Sequence, residues 1–170
     1  ACYAVISYIV FPVQYFLTGI GEGVQPLISF YHGAKKEMEV RAVKKIAYTA
    51  EIIFGITAAA VTICMIPYIG GWFGLSAESK QYFSSGMLIS SFAFLLTGTA
   101  KLNVSCLNAV MQTKKAVFMT YIESLAVSPI CLFLLPAVWD IRGIWLALPV
   151  TAGIMTGIYG LIRKDRKNEE

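Results

Sequence analysis

Five apolar runs, each long enough to cross a lipid bilayer, constrain this chain more than any other feature. They cover residues 3–31, 46–69, 82–111, 116–138 and 143–162. A hydrocarbon core about 30 Å thick takes roughly 20 helical residues at 1.5 Å rise each. Runs of this length are too long for strands, and the alternating ten-residue pattern of an outer-membrane barrel is absent from the sequence. The composition fits lipid as the solvent: 57% of the 170 residues are hydrophobic and 14% charged, against about 25% charged in soluble domains. The expected fold is all-α, a polytopic transmembrane helix bundle of about five spans.

The basic residues orient the spans. Lys35, Lys36, Arg41, Lys44 and Lys45 follow the first run, Lys114 and Lys115 follow the third, and Arg163, Lys164, Arg166 and Lys167 lie in the tail, 163–170. Only Lys80 and Arg142 fall on the other side, and Lys101 lies inside a span. Positive charge collects on the cytoplasmic side of membrane proteins, so the first loop, third loop and C-terminus are expected there. Residue 1 is then outside. An outside start on Ala1, without a signal sequence, leads to the expectation of at least one upstream span. The net charge of +4 does not point to nucleic acid, because the basic residues flank spans and lack interleaved stacking aromatics. Trp72, Phe73, Trp139 and Trp145 are expected at the outer interface as an aromatic belt. Cys2, Cys64, Cys106 and Cys131 have no metal-ligand spacing and are read as reduced apolar thiols.

Polar residues inside the runs carry the functional signal. In the first run Gln14, Thr18, Glu22, Gln25 and Ser29 follow steps of 4, 4, 3 and 4, the spacing of one helical face. Gly19 and Gly23 lie beside that stripe as a GxxxG pair, which lets another helix approach closely. Pro12 and Pro26 interrupt the helix and free backbone carbonyls. The third run repeats the pattern with Thr97, Lys101, Ser105, Asn108 and Gln112.

Counted from the run midpoints, Glu22 and Lys101 each lie about five residues toward the cytoplasm and Glu123 about four, so the three are expected in one layer roughly 6–8 Å below the midplane. Each charge facing lipid would cost about 2.5–3.5 kcal/mol, so all three are expected to face inward. Two readings are open. Glu22 binds a cation or proton in exchange with Lys101, or the two neutralise each other and hold their helices in register. Glu51, near the cytoplasmic third of the second run, reads as an interfacial or loop-packing residue. His32 reads as a surface or loop-packing residue at the end of the first span, more than as a switch or ligand. A soluble-type catalytic set, phosphate loop or metal motif is not present in the sequence, so an enzyme is not expected, and no cofactor either.

The segment GIGEGVQPLISFYHGAKK, residues 19–36, resembles the second helix of a lobe in the multidrug and toxic compound extrusion (MATE) transporters, through Gln25-Pro26 and then Gly33-Ala34-Lys35. Residues 108–115 resemble the polar end of the family's fourth helix of the lobe, and RGIWLALPV, residues 142–150, resembles the Gly-x-Trp start of its last helix. The resemblance implies that residues 1–170 are a partial C-terminal lobe of a twelve-helix transporter that rocks between inward and outward states, with the N-terminal lobe missing. It also implies a multi-pass plasma-membrane protein that exports organic cations or amphiphilic drugs by antiport with H+ or Na+. The chain departs from the family in carrying Glu123 where many relatives have an arginine, and Thr151 and Ala152 where an acidic residue is common. The candidate ion-coupling residues are Glu22, Lys101 and Glu123. The candidate cavity residues are Gln14, Tyr15, Thr18, Gln25, Thr97, Ser105 and Asn108, with Tyr15 and Phe94 as possible hydrophobic contacts. Two rivals remain: a lipid-linked saccharide flippase of the same superfamily, and a non-transporting scaffold subunit whose polar stripes only join helices.

Overall fold

The computed structural model describes residues 2–74 and 77–169, with side chains described for 3–74 and 79–162. The basic tail residues Arg163, Lys164, Arg166 and Lys167, and the thiol of Cys2, lie outside the described side chains. Among the described residues the chain is helical apart from short turns: α1 (Cys2–Gly33), α2 (Glu37–Trp72), α3 (Ala77–Ala109), α4 (Thr113–Ile122), a π-helical segment (Glu123–Val127) and α5 (Ser128–Glu169). Four helical stretches are long and apolar enough to cross a membrane, Tyr3–Gly33, Glu37–Trp72, Ser79–Ala109 and Thr113–Ile162.

The last stretch contains two of the five runs. At 50 residues a straight helix would be about 75 Å long, more than twice a hydrocarbon core. It is not straight. Trp139 (φ −121°, ψ 20°) and Asp140 (φ 48°, ψ −136°) leave helical geometry, between the fourth run and the fifth. Beyond that break the chain folds back so tightly that a Cβ on Gly143 would stand 2.2 Å from the Leu135 carbonyl oxygen. Only glycine permits that approach. The returning half packs along the outgoing one: Met119, Ile122 and Val127 share a cluster with Ala152, Met155 and Ile158.

The turns after α1 and α3 are built alike. Lys35 (φ 57°) and Met111 (φ 59°) occupy the left-handed region just past each helix. At the first, the amide of Lys36 donates to the Tyr31 carbonyl at 2.9 Å and that of Lys35 to His32 at 3.0 Å; at the second, Gln112 donates to Leu107 at 3.0 Å and Met111 to Asn108 at 3.1 Å. Both are Schellman closures, which satisfy the last carbonyls of a helix and reverse the chain. His32 Nδ1 lies 3.1 Å from Glu37 Oε1 across the first turn, on the surface as the sequence suggests.

Helix α3 is the hub. More than half of its most apolar window is buried (56%), against 28% for α1 and 17% for α2. Around one half of it, Val5, Ile6, Val10 and Leu17 of α1 meet Ile69, Phe83, Met87, Phe94 and Trp145. Around the other, Ile28, Val40 and Ala47 pack on Leu102, Cys106 and Val110. Trp145 is therefore a core residue stacked on Tyr3 at 5.4 Å between ring centroids, not a belt anchor; Trp72 and Trp139 are exposed. Phe94 is likewise fully buried and does not face cargo or lipid.

Candidate functional site

A cavity of about 270 Å³ opens between α1, α3, the π segment and both halves of α5. Helical spacing on α3 puts Ser90, Thr97 and Lys101 on its wall, at offsets of seven and four residues. Helix α1 contributes Gln14 with Tyr3 and Phe11, and α5 contributes Ser128, Trp145 and Thr151. The wall is thus mostly apolar, with a few converging polar groups, as in small-molecule sites generally.

The charged pair on that wall is Lys101 and Glu123. Lys101 Nζ donates to Glu123 Oε1 at 2.8 Å, with side chains 38% and 19% exposed. The position of Glu123 follows from the chain just beyond it. Pro129 has no amide hydrogen to give to the carbonyl four residues back, and its ring crowds that carbonyl. The helix widens by one residue there, and the Ser128 amide bonds the Glu123 carbonyl instead. Such π segments redirect side chains and are frequent at functional sites. Two further groups on the wall, Gln14 Nε2 and Thr97 Oγ1, are buried with no hydrogen-bond partner among the described residues. A buried amide or hydroxyl left unpaired costs about 1–3 kcal/mol, so both are disposed to take a polar guest.

Chemically, the pair sets a carboxylate against an ammonium on the cavity wall, and a cation brought to Glu123 would compete with Lys101 for the same oxygen.

The structure separates residues that the sequence grouped. Glu22 does not meet Lys101; it is exposed, and Lys101 takes Glu123. A shared depth does not fix the direction a side chain faces: Glu22 lies about 80° around α1 from Gln14 at 100° per residue. Gln14 therefore reaches the cavity while Glu22 does not. Tyr15 points away at 76% exposure. Thr18 and Gln25 are half-buried and, like Ser105 and Asn108, lie outside the cavity lining. Ser105 is buried against Gly21 of α1, and Ser29 Oγ donates to the Ala109 carbonyl at 2.8 Å. This part of the two polar stripes joins α1 to α3. Gly19 and Gly23 face open space, and it is Gly21, the glycine between them, that α3 approaches. Of the expected cavity residues, Gln14 and Thr97 line it, with Lys101 and Glu123 from the expected ion-coupling set.

Sequence reasoning missed polar groups on the α2–α3 contact. Tyr48 hydroxyl donates to Asn103 Oδ1. Glu51 is buried at 1% exposure, not interfacial. A signal existed: of the seven buried residues of α2, six, Val40, Ala47, Glu51, Gly55, Thr62 and Ile69, are spaced by 7, 4, 4, 7 and 7, and the seventh is Gly70 beside Ile69. That is one face, made mainly of small and apolar residues, with a carboxylate in it.

Compared with models of protein families, residues 1–133 match the family described as MatE. The search of curated proteins and that of solved structures gave no match.

Proposed function

The chain belongs to the MatE family of membrane transporters, and from that premise we propose that it is the ion-coupled part of an antiporter exporting amphiphilic organic cations or drugs. The observation that carries the reading is the Lys101–Glu123 pair at 2.8 Å on the wall of a 270 Å³ cavity. Glu123 is the binding site for the coupling ion, H+ or Na+, and Lys101 is the internal cation that replaces it. Apolar and aromatic wall residues such as Tyr3, Phe11 and Trp145 suit an amphiphile.

A second lobe, packed on the face of α1 that carries Glu22 and Tyr15, completes the pathway in this proposal. An exposed carboxylate facing lipid would cost about 2.5–3.5 kcal/mol, which supports protein or water against that face. Rocking of the lobes would then give alternating access. In this reading the C-terminus is cytoplasmic, because basic residues collect in the first loop, the third loop and the tail, and the membrane is the plasma membrane, as export from a cell requires.

One observation favours a second cargo. With Glu22 outside it, the cavity wall carries one positive and one negative group, so protonating Glu123 would leave a net positive site able to hold the phosphate of a lipid-linked saccharide. The test is transport by the full-length protein in vesicles, wild type against Glu123→Gln, with a cationic dye and with a lipid-linked pyrophosphate saccharide. The antiporter reading expects ion-driven dye efflux to fall at least tenfold in the variant at equal membrane expression. Undiminished dye efflux overturns the role of Glu123, and saccharide movement without dye efflux overturns the cargo.

A further inference from the structure

The α2–α3 contact pairs Gly55 with Leu95, Glu51 with Gly98 and Tyr48 with Asn103, step by step along antiparallel helices. Its middle step is unlike the other two. Both carboxyl oxygens of Glu51 are buried without a hydrogen-bond partner among the described residues. The side chain is 1% exposed. Room for it exists only because residue 98 has no side chain: a Cβ there would stand 2.6 Å from Oε1 and 3.0 Å from Cγ of Glu51. Glu51 stands five residues inside the apolar run that starts at Ile46, about 7–8 Å along the helix.

The groups around it do not supply a counter-charge. On its own helix the polar groups nearest on that face are Tyr48, whose hydroxyl is given to Asn103 of α3, and Lys44, seven residues back and about 10 Å along the axis, and neither bonds the carboxyl. From α3, Gly98 and Leu95 face this part of α2. Lys101, one turn further along α3, is paired with Glu123 at the cavity. Helix α1 stacks on α2 through Phe16 and Phe54, and its carboxylate, Glu22, is on the exposed face. An ionised carboxylate enclosed this way has lost its water and gained nothing in return, which is far more costly than enclosing the neutral acid. A metal cation is a poor alternative, because hard cations need several oxygen ligands and the facing surface offers glycine and leucine.

We propose that Glu51 is a proton-binding site built into the α2–α3 contact, holding the neutral acid while the helices are closed on it. When the helices part and admit water, the O–H bond breaks, the proton passes to that water, and the carboxylate remains hydrated. The site is separate from the Lys101–Glu123 cavity and does not depend on what the protein transports.

The test is infrared spectroscopy of the full-length protein in lipid membranes in deuterated buffer at neutral pH, wild type against Glu51→Gln. The expected result is a protonated-carboxyl carbonyl band in the wild type that resists deuterium exchange and is lost in the variant, with carboxylate absorption unchanged. Loss of carboxylate absorption in the variant, with the carbonyl band intact, overturns the proposal. Glu51→Met gives the same subtraction where Glu51→Gln does not assemble. A wild-type spectrum without any protonated-carboxyl band overturns it with no variant at all.

Discussion

At the scale of single residues, what decides a role here is direction around the helix. Glu22 and Glu123 are both carboxylates in apolar runs, yet one is exposed and the other holds Lys101 at 2.8 Å. That Lys101 and Glu123 share a level was legible in the sequence, because rise per residue is constant. Azimuth was not, because a polar stripe spans an arc wide enough to put Gln14 on the cavity and Glu22 outside it. Glu51 is the opposite case: its place near the end of a run suggests an interface, while the small residues on its face, Ala47 and Gly55, let α3 close over it. Gly98 is the residue that makes that closure possible. Replacing it, Gly98→Ala, puts a methyl group 2.6 Å from Glu51 Oε1, and overpacking of this kind costs about 1–3 kcal/mol. The variant should melt at lower temperature in detergent, and its Glu51 carboxyl should exchange with deuterium at least tenfold faster. A variant with wild-type melting and exchange would mean that Glu51 is not held against residue 98.

At the scale of elements, the chain uses backbone exceptions to place its side chains. The reversal at Trp139 and Asp140, closed by Gly143 against Leu135, lets two adjacent apolar runs pack side by side. The gap between those runs was visible as the polar stretch around Asp140 and Arg142, where the helix breaks. The π segment had no comparable signal, since Pro129 alone reads only as a kink. Its effect is to advance the helix by one residue, about 100° of rotation, between Glu123 and the rest of α5. Pro129→Ala restores an amide donor and allows the ordinary α-helical bond to Leu125. We expect the segment to relax to α-helix and turn Glu123 away from Lys101. Ion-driven transport by the full-length protein should then fall at least tenfold while thermal stability does not fall. An unchanged transport rate in a stable Pro129→Ala variant would show that the π turn does not position Glu123.

At the scale of the whole molecule, the helical fold and its membrane setting were legible from run length, because lipid forces every backbone group into intrahelical bonds. The family was legible in the Gln25-Pro26 and Gly33-Ala34-Lys35 stretch, and the match over residues 1–133 agrees with it. What the runs could not give was the hub role of α3, whose polar residues divide between a cavity wall (Ser90, Thr97, Lys101) and helix contacts (Asn103, Ser105). That division leaves one ion pair open to the cavity and one carboxyl sealed between helices. If Glu123 holds the coupling ion and cargo competes with it, binding of cargo must set that ion free. The most direct measurement is the release of protons, or of sodium ions read by a selective electrode, when an organic cation is added to the purified full-length protein. The wild type should release ions in proportion to cargo bound, and Glu123→Gln should release at least tenfold fewer per cargo bound. Equal release from the two proteins would contradict the assignment of Glu123 as the exchange site.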